Sequence, residues 1–394
     1  MRTLSSAFPF IIIFTVWLFG PTTFVLGNVL VDKNETSASE NSTVKKPSAK
    51  QIHLALLLDT SNSMDGLINQ AKSQLWNIVD ELADATHEGE PTELYIALYE
   101  YGNDNLSVTS NYIRQISPFT QDLDEISNLL FALKTNGGSE FCGAVIGDAL
   151  SRLQWTTGEA HLRMIFIAGN EPFDQGGVSY EKSCSTANHR DVQVNTIFCG
   201  NYQEGVDTHW LRGAELGGGK YMNIDMDQQT VYVSTPYDSK IDELNDALNE
   251  TYVGYGANGM KRKQQQVSED MNAQSYSRSN KVKRAISKSK HVYKNDSWDL
   301  VDAKRERNIS IAAIPDDELP EEMRTMSTQE KEHYIKEKAL KRKRLQIEIQ
   351  ALADLRGTYI KQVNDSLAIN NELEEAILES VKLTAESKNF QFDK

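Results

Sequence analysis

The sequence predicts an α/β fold, a doubly wound and mostly parallel sheet, followed by an α-helical C-terminal region. Three observations predict it. Continuous apolar runs, Ile52 to Leu58 and Leu162 to Ile167 above all, read as strands covered on both faces. Stretches with apolar residues three and four apart alternate with those runs from His53 to about Tyr252. From Ser327 onward there is no proline, and one apolar stripe recurs at helical spacing.

In chain order, the strand ending at Leu58 is followed by helical spacing at Leu67, Ala71, Leu75, Ile78, Val79 and Leu82. Leu94 to Tyr101 is the next strand, closed by Gly102-Asn103-Asp104. Ser107 to Ile113 is expected as a short edge strand and Leu123 to Leu133 as a helix. Gly137-Gly138 breaks the chain before a helical stretch over Val145 to Leu153. Leu162 to Ile167 and Val192 to Phe198 are further buried strands. A helix over Val206 to Leu216, a turn at Gly217-Gly218-Gly219 and a last strand over Lys220 to Ile224 complete the pattern. Asp238 is placed to cap a final helix carrying Ile241, Leu244 and Leu248.

The 394 residues divide, on this reading, into a signal peptide over 1–27 and a disordered leader over 28–50. The α/β domain over 51–252, a linker and irregular region over 253–326, and a helical or coiled-coil-like region over 327–394 follow. The signal peptide is read from Arg2, the apolar stretch Phe8 to Phe19 and a small-residue exit near Gly27. Export to a periplasm or the outside is the expectation. The apolar core is shorter than the roughly 18 residues a membrane span needs, which favours a cleaved signal peptide over an uncleaved anchor. No later segment is apolar enough to cross, so the mature chain is expected to lack a span.

The net charge is −15, with about −18 before residue 260 and about +3 after it. An acidic first region repels phosphates and argues against nucleic acid as its partner. Three cysteines, Cys142, Cys184 and Cys199, are too few for a disulfide framework and match no zinc spacing. Asn34, Asn41, Asn105 and Asn249 head Asn-x-Ser/Thr sequences that a suitable host would glycosylate.

Asp59-Thr60-Ser61-Asn62-Ser63 stands where the first strand gives way to its helix. Open α/β sheets hold ligands just beyond the carboxyl ends of their strands. One carboxylate and two hydroxyls, two residues apart, form a hard oxygen set suited to Mg2+ or Mn2+. Helix capping is the plainer reading of the same residues, but a cap accounts for one oxygen, not three.

With the alternation of elements around it, this pentapeptide resembles the Asp-x-Ser-x-Ser metal-ion-dependent adhesion site of von Willebrand factor type A (VWA) domains. The resemblance covers about residues 51–252 and implies metal ligation by Ser61 and Ser63, with Asp59 holding metal-bound waters. It also implies a threonine soon after a Gly-Gly pair. Here the loop reads Gly137-Gly138-Ser139-Glu140-Phe141, which offers Ser139 or Glu140 in its place. The family's Thr-Asp-Gly at the end of the third buried strand is replaced by Ala168-Gly169-Asn170, so Gly169 takes the aspartate position. Glu171 or Asp174 would need a chain shift to substitute. Gly169-Asn170-Glu171-Pro172-Phe173 is similar to a motif of an exported subgroup in which Cys142 and Cys184 have similar surroundings; a disulfide between them is the expectation, with buried free thiols as the alternative.

The resemblance implies a non-enzymatic, exported binding protein that recruits a protein partner presenting an Asp or Glu. The metal candidates are Asp59, Ser61, Ser63, Ser139, Glu140 and Glu171. A scaffold with a degenerate metal site is the alternative, and a metal-dependent hydrolase a further one. Beyond Tyr252, the basic, Gln- and Ser-rich stretch Lys261 to Lys294 is expected to be exposed, with an anchor at Trp298-Asp299-Leu300-Val301. Ser327 and Glu330 have capping-box spacing. Leu345, Ile349, Leu352, Leu355, Tyr359, Val363 and Leu367 form a stripe that either packs on the first domain or makes a coiled-coil seam, which leaves the oligomeric state open. Lys341-Arg342-Lys343-Arg344 is expected as a solvated face.

Overall fold

The computed structural model describes residues 49–224, 233–276, 278–367 and 372–392. The expected signal peptide, nearly all of the leader, Asn34 and Asn41 lie outside the described residues.

The chain runs β1 (Gln51–Asp59), α1 (Ile68–Leu82), β2 (Ala85–His87), β3 (Glu90–Pro91), β4 (Glu93–Tyr101), β5 (Ile113–Thr120), α2 (Leu123–Ala132) and α3 (Cys142–Arg152). It continues through β6 (Leu162–Gly169), α4 (Tyr180–His189), β7 (Gln193–Cys199), α5 (Tyr202–Asp207), α6 (Trp210–Leu216), β8 (Gly218–Ile224) and α7 (Asp238–Asn249). The main sheet has the order β5-β4-β1-β6-β7-β8. All its pairings are parallel except that of β5 with β4. The fold class is therefore the one the sequence predicts.

Period-two alternation in β1 divides the core. Ile52, Leu54, Leu56 and Leu58 pack with α1, α2 and α7, through residues such as Leu75, Ile126 and Ile241. Ala55 and Leu57 face the other way, toward α3, α4 and α6, through Val145, Ala187 and Trp210.

The edge strand lies later than expected. Val108–Ser110 is a 3-10 turn whose Ser107 side chain accepts from the Thr109 N–H, and Asn111 and Tyr112 both have positive φ. β5 then carries Pro118 and register shifts against β4, features tolerated only at a sheet edge. The helix expected over Val206 to Leu216 is two, α5 and α6, parted by His209 in the left-handed region. Asp238 opens α7 without capping it. Its carboxylate accepts from the Thr235 N–H and hydroxyl and from Arg356.

After α7 come α8 (Gly259–Tyr276), α9 (Arg278–Ser289), α10 (Leu300–Arg307), α11 (Glu321–Arg324), α12 (Thr328–Leu367), α13 (Glu372–Glu386) and β9 (Phe390–Phe392). The stretch expected to be exposed, Lys261 to Lys294, is thus two helices with buried charges. Arg284 bridges Asp124 of α2 and Asp270 of α8, both at 2.7 Å, and Lys288 lies 2.9 Å from Asp270. Burial alone would raise the Asp270 carboxyl, but Lys288 and Arg284 outweigh it and hold it well below its usual range. Its Lys and Arg residues made the segment look solvated, yet their partners sit in distant elements.

In the basic cluster on α12, Lys343 and Arg344 are exposed as expected, and Arg342 is the exception. Arg342 is buried, 2.7 Å from Asp299 and 2.9 Å from Asp302, with its guanidinium 3.9 Å from the Tyr252 ring centre. Trp298, Leu300 and Val301 are buried, the last two in a small core with Val253, Ile311, Leu319, Met323 and Ile335. Ser327 and Glu330 form the capping box. Ile349 is buried in the main core and Leu345 and Leu352 pack against it, while Leu355 is exposed. The stripe therefore packs on the α/β domain along this part of α12. Val381, Ala385 and Phe390 join that core, and β9 pairs with β2 in a second sheet of order β3-β2-β9. No helix among the described residues is long and apolar enough to cross a membrane.

Candidate metal centre

Three parallel strands end side by side. Asp59 pairs in register with Tyr101, and Leu58 with Ala168, so Asp59, Tyr101 and Gly169 form one rim. β1 is also where the strand order reverses, with β4 on one side and β6 on the other. Such switch points open a crevice at the strand ends.

Asp59 is fully buried. Its Oδ1 accepts the Ser61 N–H at 2.8 Å, whereas its Oδ2 is buried with no hydrogen-bond partner among the described residues. Burial raises its carboxyl to about 7, with Glu140 and Glu171 adding to the rise against the Ser61 N–H and hydroxyl. Ser61 precedes the 3-10 turn Asn62–Met64, but its side chain caps nothing. Its Oγ lies 2.7 Å from the Ser63 Oγ, which in turn lies 2.8 Å from the Asn170 Oδ1. The Asn170 amide donates back to the Ser63 carbonyl at 2.9 Å. Capping therefore does not explain Ser61.

Glu140 is buried in the stretch before α3. Burial and then Glu171 raise its carboxyl, while its own backbone N–H and the Ser61 hydroxyl lower it. Glycines make the space. A Cβ on Gly138 would lie 2.0 Å from the Glu140 Oε1 and 2.7 Å from the Ser61 Cβ. One on Gly102, at φ +78°, would lie 2.7 Å from the Asp59 Oδ1 and 3.0 Å from the Glu140 Cγ.

Asp59, Ser61, Ser63, Glu140 and Glu171 thus converge on one end of the sheet. Glu171 acts electrostatically on Asp59 and Glu140, and its Oε2 accepts from Gln175 at 3.3 Å. Ser139 is half-buried, and among the described residues its side chain has no hydrogen bond to the others. Asp174 instead lies 3.8 Å from His209. Tyr101, Gly102 and Asn170 were not read from the sequence. Their signal was weak: a tyrosine closing a strand, a glycine in a turn, and an asparagine after Gly169.

The gap at Gly169 has a structural cause. A Cβ there would fall 2.5 Å from the Tyr101 Oη and 3.1 Å from the Asp59 Oδ2. The Tyr101 hydroxyl donates to the Ala168 carbonyl at 3.1 Å and holds that space. No side chain fits at 169 without moving it.

The expected disulfide is not formed. Cys142, Cys184 and Cys199 are buried free thiols, and the Cys142 Sγ is turned to the Tyr101 Oη at 3.7 Å. Burial pushes the Cys184 thiol up to about 12 and Cys142 and Cys199 well above their usual range, which leaves them unreactive.

Among the described residues, no three His, Cys, Asp or Glu side chains come together to hold a metal by themselves. The donor set here is mixed: an orphaned carboxylate oxygen, two linked hydroxyls and neighbouring carboxylates. That set fits a hard divalent cation. Glu140 and Glu171 both act on Asp59 with negative charge, and a bound cation would invert that balance.

No family model and no curated protein matches the sequence. Among solved structures it is similar to BatB from Bacteroides thetaiotaomicron, at 16% identity over 44% of this chain and 90% of that one, with a TM-score of 0.35. It is similar to the SpRpn10 VWA domain at 15% identity, over 45% of this chain and 89% of that one, with a TM-score of 0.35. A third is proximal thread matrix protein 1 from the mussel byssus, solved with a zinc occupied MIDAS motif. There the identity is 12%, over 46% of this chain and 43% of that one, with a TM-score of 0.34. Likenesses this distant carry nothing about what this chain binds.

Proposed function

We propose that this chain recruits a protein partner through a divalent cation, Mg2+ or Mn2+, held at the carboxyl end of β1. The observation that carries the reading is the Asp59 Oδ2, buried without a partner beside two other carboxylates. An unpaired buried carboxylate is costly, and natural sites retain one where a ligand supplies the missing charge. Ser61 and Ser63 would hold the cation with Asp59 behind them, and Glu140 and Glu171 would add negative charge. When bound, the cation supplies a positive centre that a partner's Asp or Glu can complete. The chain's own residues orient that centre: Asn170 fixes Ser63 from both its amide atoms, and the Ser61 N–H fixes Asp59. Export through an N-terminal leader belongs to this reading, and a catalytic step does not.

Thermal unfolding of the purified chain with Mg2+ and with EDTA tests it. At a hundredfold excess over the dissociation constant, Mg2+ should add about 2.7 kcal/mol. Asp59→Ala should fold and lose that gain. The scaffold reading is favoured by Tyr101, which fills the space of the missing aspartate. It requires that Mg2+ shift neither protein, and that partner capture survive chelation.

A further inference from the structure

Two glycines make room for one acid. The carboxylate of Glu140 lies against the Cα of Gly138, and its Cγ against Gly102, at positions where any other residue would collide with it. The same Gly138 position that lies 2.0 Å from the Glu140 Oε1 lies 2.7 Å from the Cβ of Ser61, which carries one of the two hydroxyls of the proposed centre. Residues 133–141, which carry it, are neither helix nor strand, and Gly137, at φ +62°, lies just before the cradle. The loop is anchored on both sides of Glu140. The Gly137 carbonyl accepts the Asn62 N–H at 2.6 Å, and the Phe141 ring packs edge-on to Tyr112 at 6.0 Å. Glu140 itself is paired with no Lys or Arg among the described salt bridges. A buried, uncompensated carboxylate directed to Ser61 has the chemistry expected of the visiting acid.

We propose that Glu140 is a resident stand-in for the partner's acid: it fills the position beside Ser61 that an incoming Asp or Glu would take, so a partner binds only by turning Glu140 out. This rests on the reading of Asp59, Ser61 and Ser63 as a divalent-cation site. It adds regulation to that reading. The free chain is self-closed, and weak acids such as solvent acetate compete poorly with a carboxylate tethered by its own loop. A partner succeeds by adding contacts outside the centre, or by drawing the 133–141 loop away. Glu171 cannot play the same part, because its Oε2 is engaged by Gln175 and its carbonyl by the Trp210 indole N–H at 2.8 Å.

The test loads the full chain with Mn2+ and titrates acetate, reading water-proton relaxation and binding heat. Glu140→Ala is compared with wild type, each at saturating Mn2+, with Glu140→Gln as a second variant that keeps the cradle filled. Removal of the stand-in should raise apparent acetate affinity about tenfold or more, the reciprocal of the fraction of molecules already open. It should also increase the relaxation enhancement, as water reaches the vacated position. If Mn2+ binds wild type and both variants with equal relaxation and equal acetate affinity, Glu140 does not fill that position and the inference fails while the cation site stands. If Mn2+ binds neither wild type nor variants, the cation site fails and takes this inference with it.

Discussion

Buried acids at two places in this molecule are treated in opposite ways. Along the seam between the sheet and the C-terminal helices, five of them have a cation in the chain. Asp124 and Asp270 have Arg284, Asp299 and Asp302 have Arg342, and Asp238 has Arg356 at 3.0 Å. At the carboxyl end of β1, Asp59 and Glu140 are as deeply buried, and Glu140 and Glu171 press on Asp59 with further negative charge. The contrast separates two uses of one side-chain type. Where the sequence supplies the counter-charge, the acid fixes one packing. Where it withholds it, the acid is held ready for something that arrives from outside.

The seam is the place to break first. Arg342→Ala would leave Asp299 and Asp302 buried without a counter-charge, and urea unfolding should show a loss of about 3–5 kcal/mol. Replacing Arg342 with Met together with Asp299→Asn and Asp302→Asn should recover much of that loss, because no stranded charge then remains. If Arg342→Ala costs nothing, the seam acids are not held as described.

A second buried group sharpens the contrast from the opposite sign. His53, packed against Phe119 and Tyr95, accepts the Thr156 N–H on Nδ1 at 3.3 Å. Burial, with His161 and Arg163 nearby, lowers it from 6.5 to about 4. The folded chain therefore keeps His53 neutral where the unfolded chain takes up a proton. Its contribution is complete above pH 6.5 and is lost as the pH falls through 4, roughly 3 kcal/mol in all. The raised carboxyl of Asp59 pulls the other way, gaining a proton in the folded state as the pH falls through 7. The difference in stability between wild type and His53→Gln, followed from pH 7.5 to 4, isolates the histidine. A flat difference would show that His53 titrates alike in both states.

The smallest effect is at the rim of the site. Gly169→Ala should cost about 1–3 kcal/mol by overpacking against Tyr101. Adding Tyr101→Phe, which removes the colliding hydroxyl, should return part of it. A Gly169→Ala protein as stable as wild type would mean that Tyr101 does not hold that space.

Much of the sheet was legible because its signals are local. Ile52 to Leu58 and Leu162 to Ile167 are apolar but for His53 and Arg163, and Asp59, Ser61 and Ser63 fall within five residues of one turn. What escaped depends on distance. Arg284 and Lys288 read as solvated because Asp124, 160 residues from Arg284, is invisible to any window. β5 escaped because Pro118 and Ser117 interrupt its alternation, and β9 because three residues carry no period. At the site, Glu140 was named but its closeness to Ser61 was not, since that depends on two glycines from separate loops. The expected cysteine bridge failed for a related reason: Cys142 has Tyr101 for a neighbour, a contact spanning 41 residues.

The β2–β9 pairing has a further consequence for how the protein is made. Thr86 donates to the Gln391 carbonyl at 3.3 Å across 305 residues, and Phe390 seals the core beneath them. β2 therefore stays unpaired on that side until some 300 further residues have been made, and nonlocal pairing of this span is intrinsically slow. Until β9 docks, the flank of the core that Phe390 covers is open, a window in which chaperones can engage the chain.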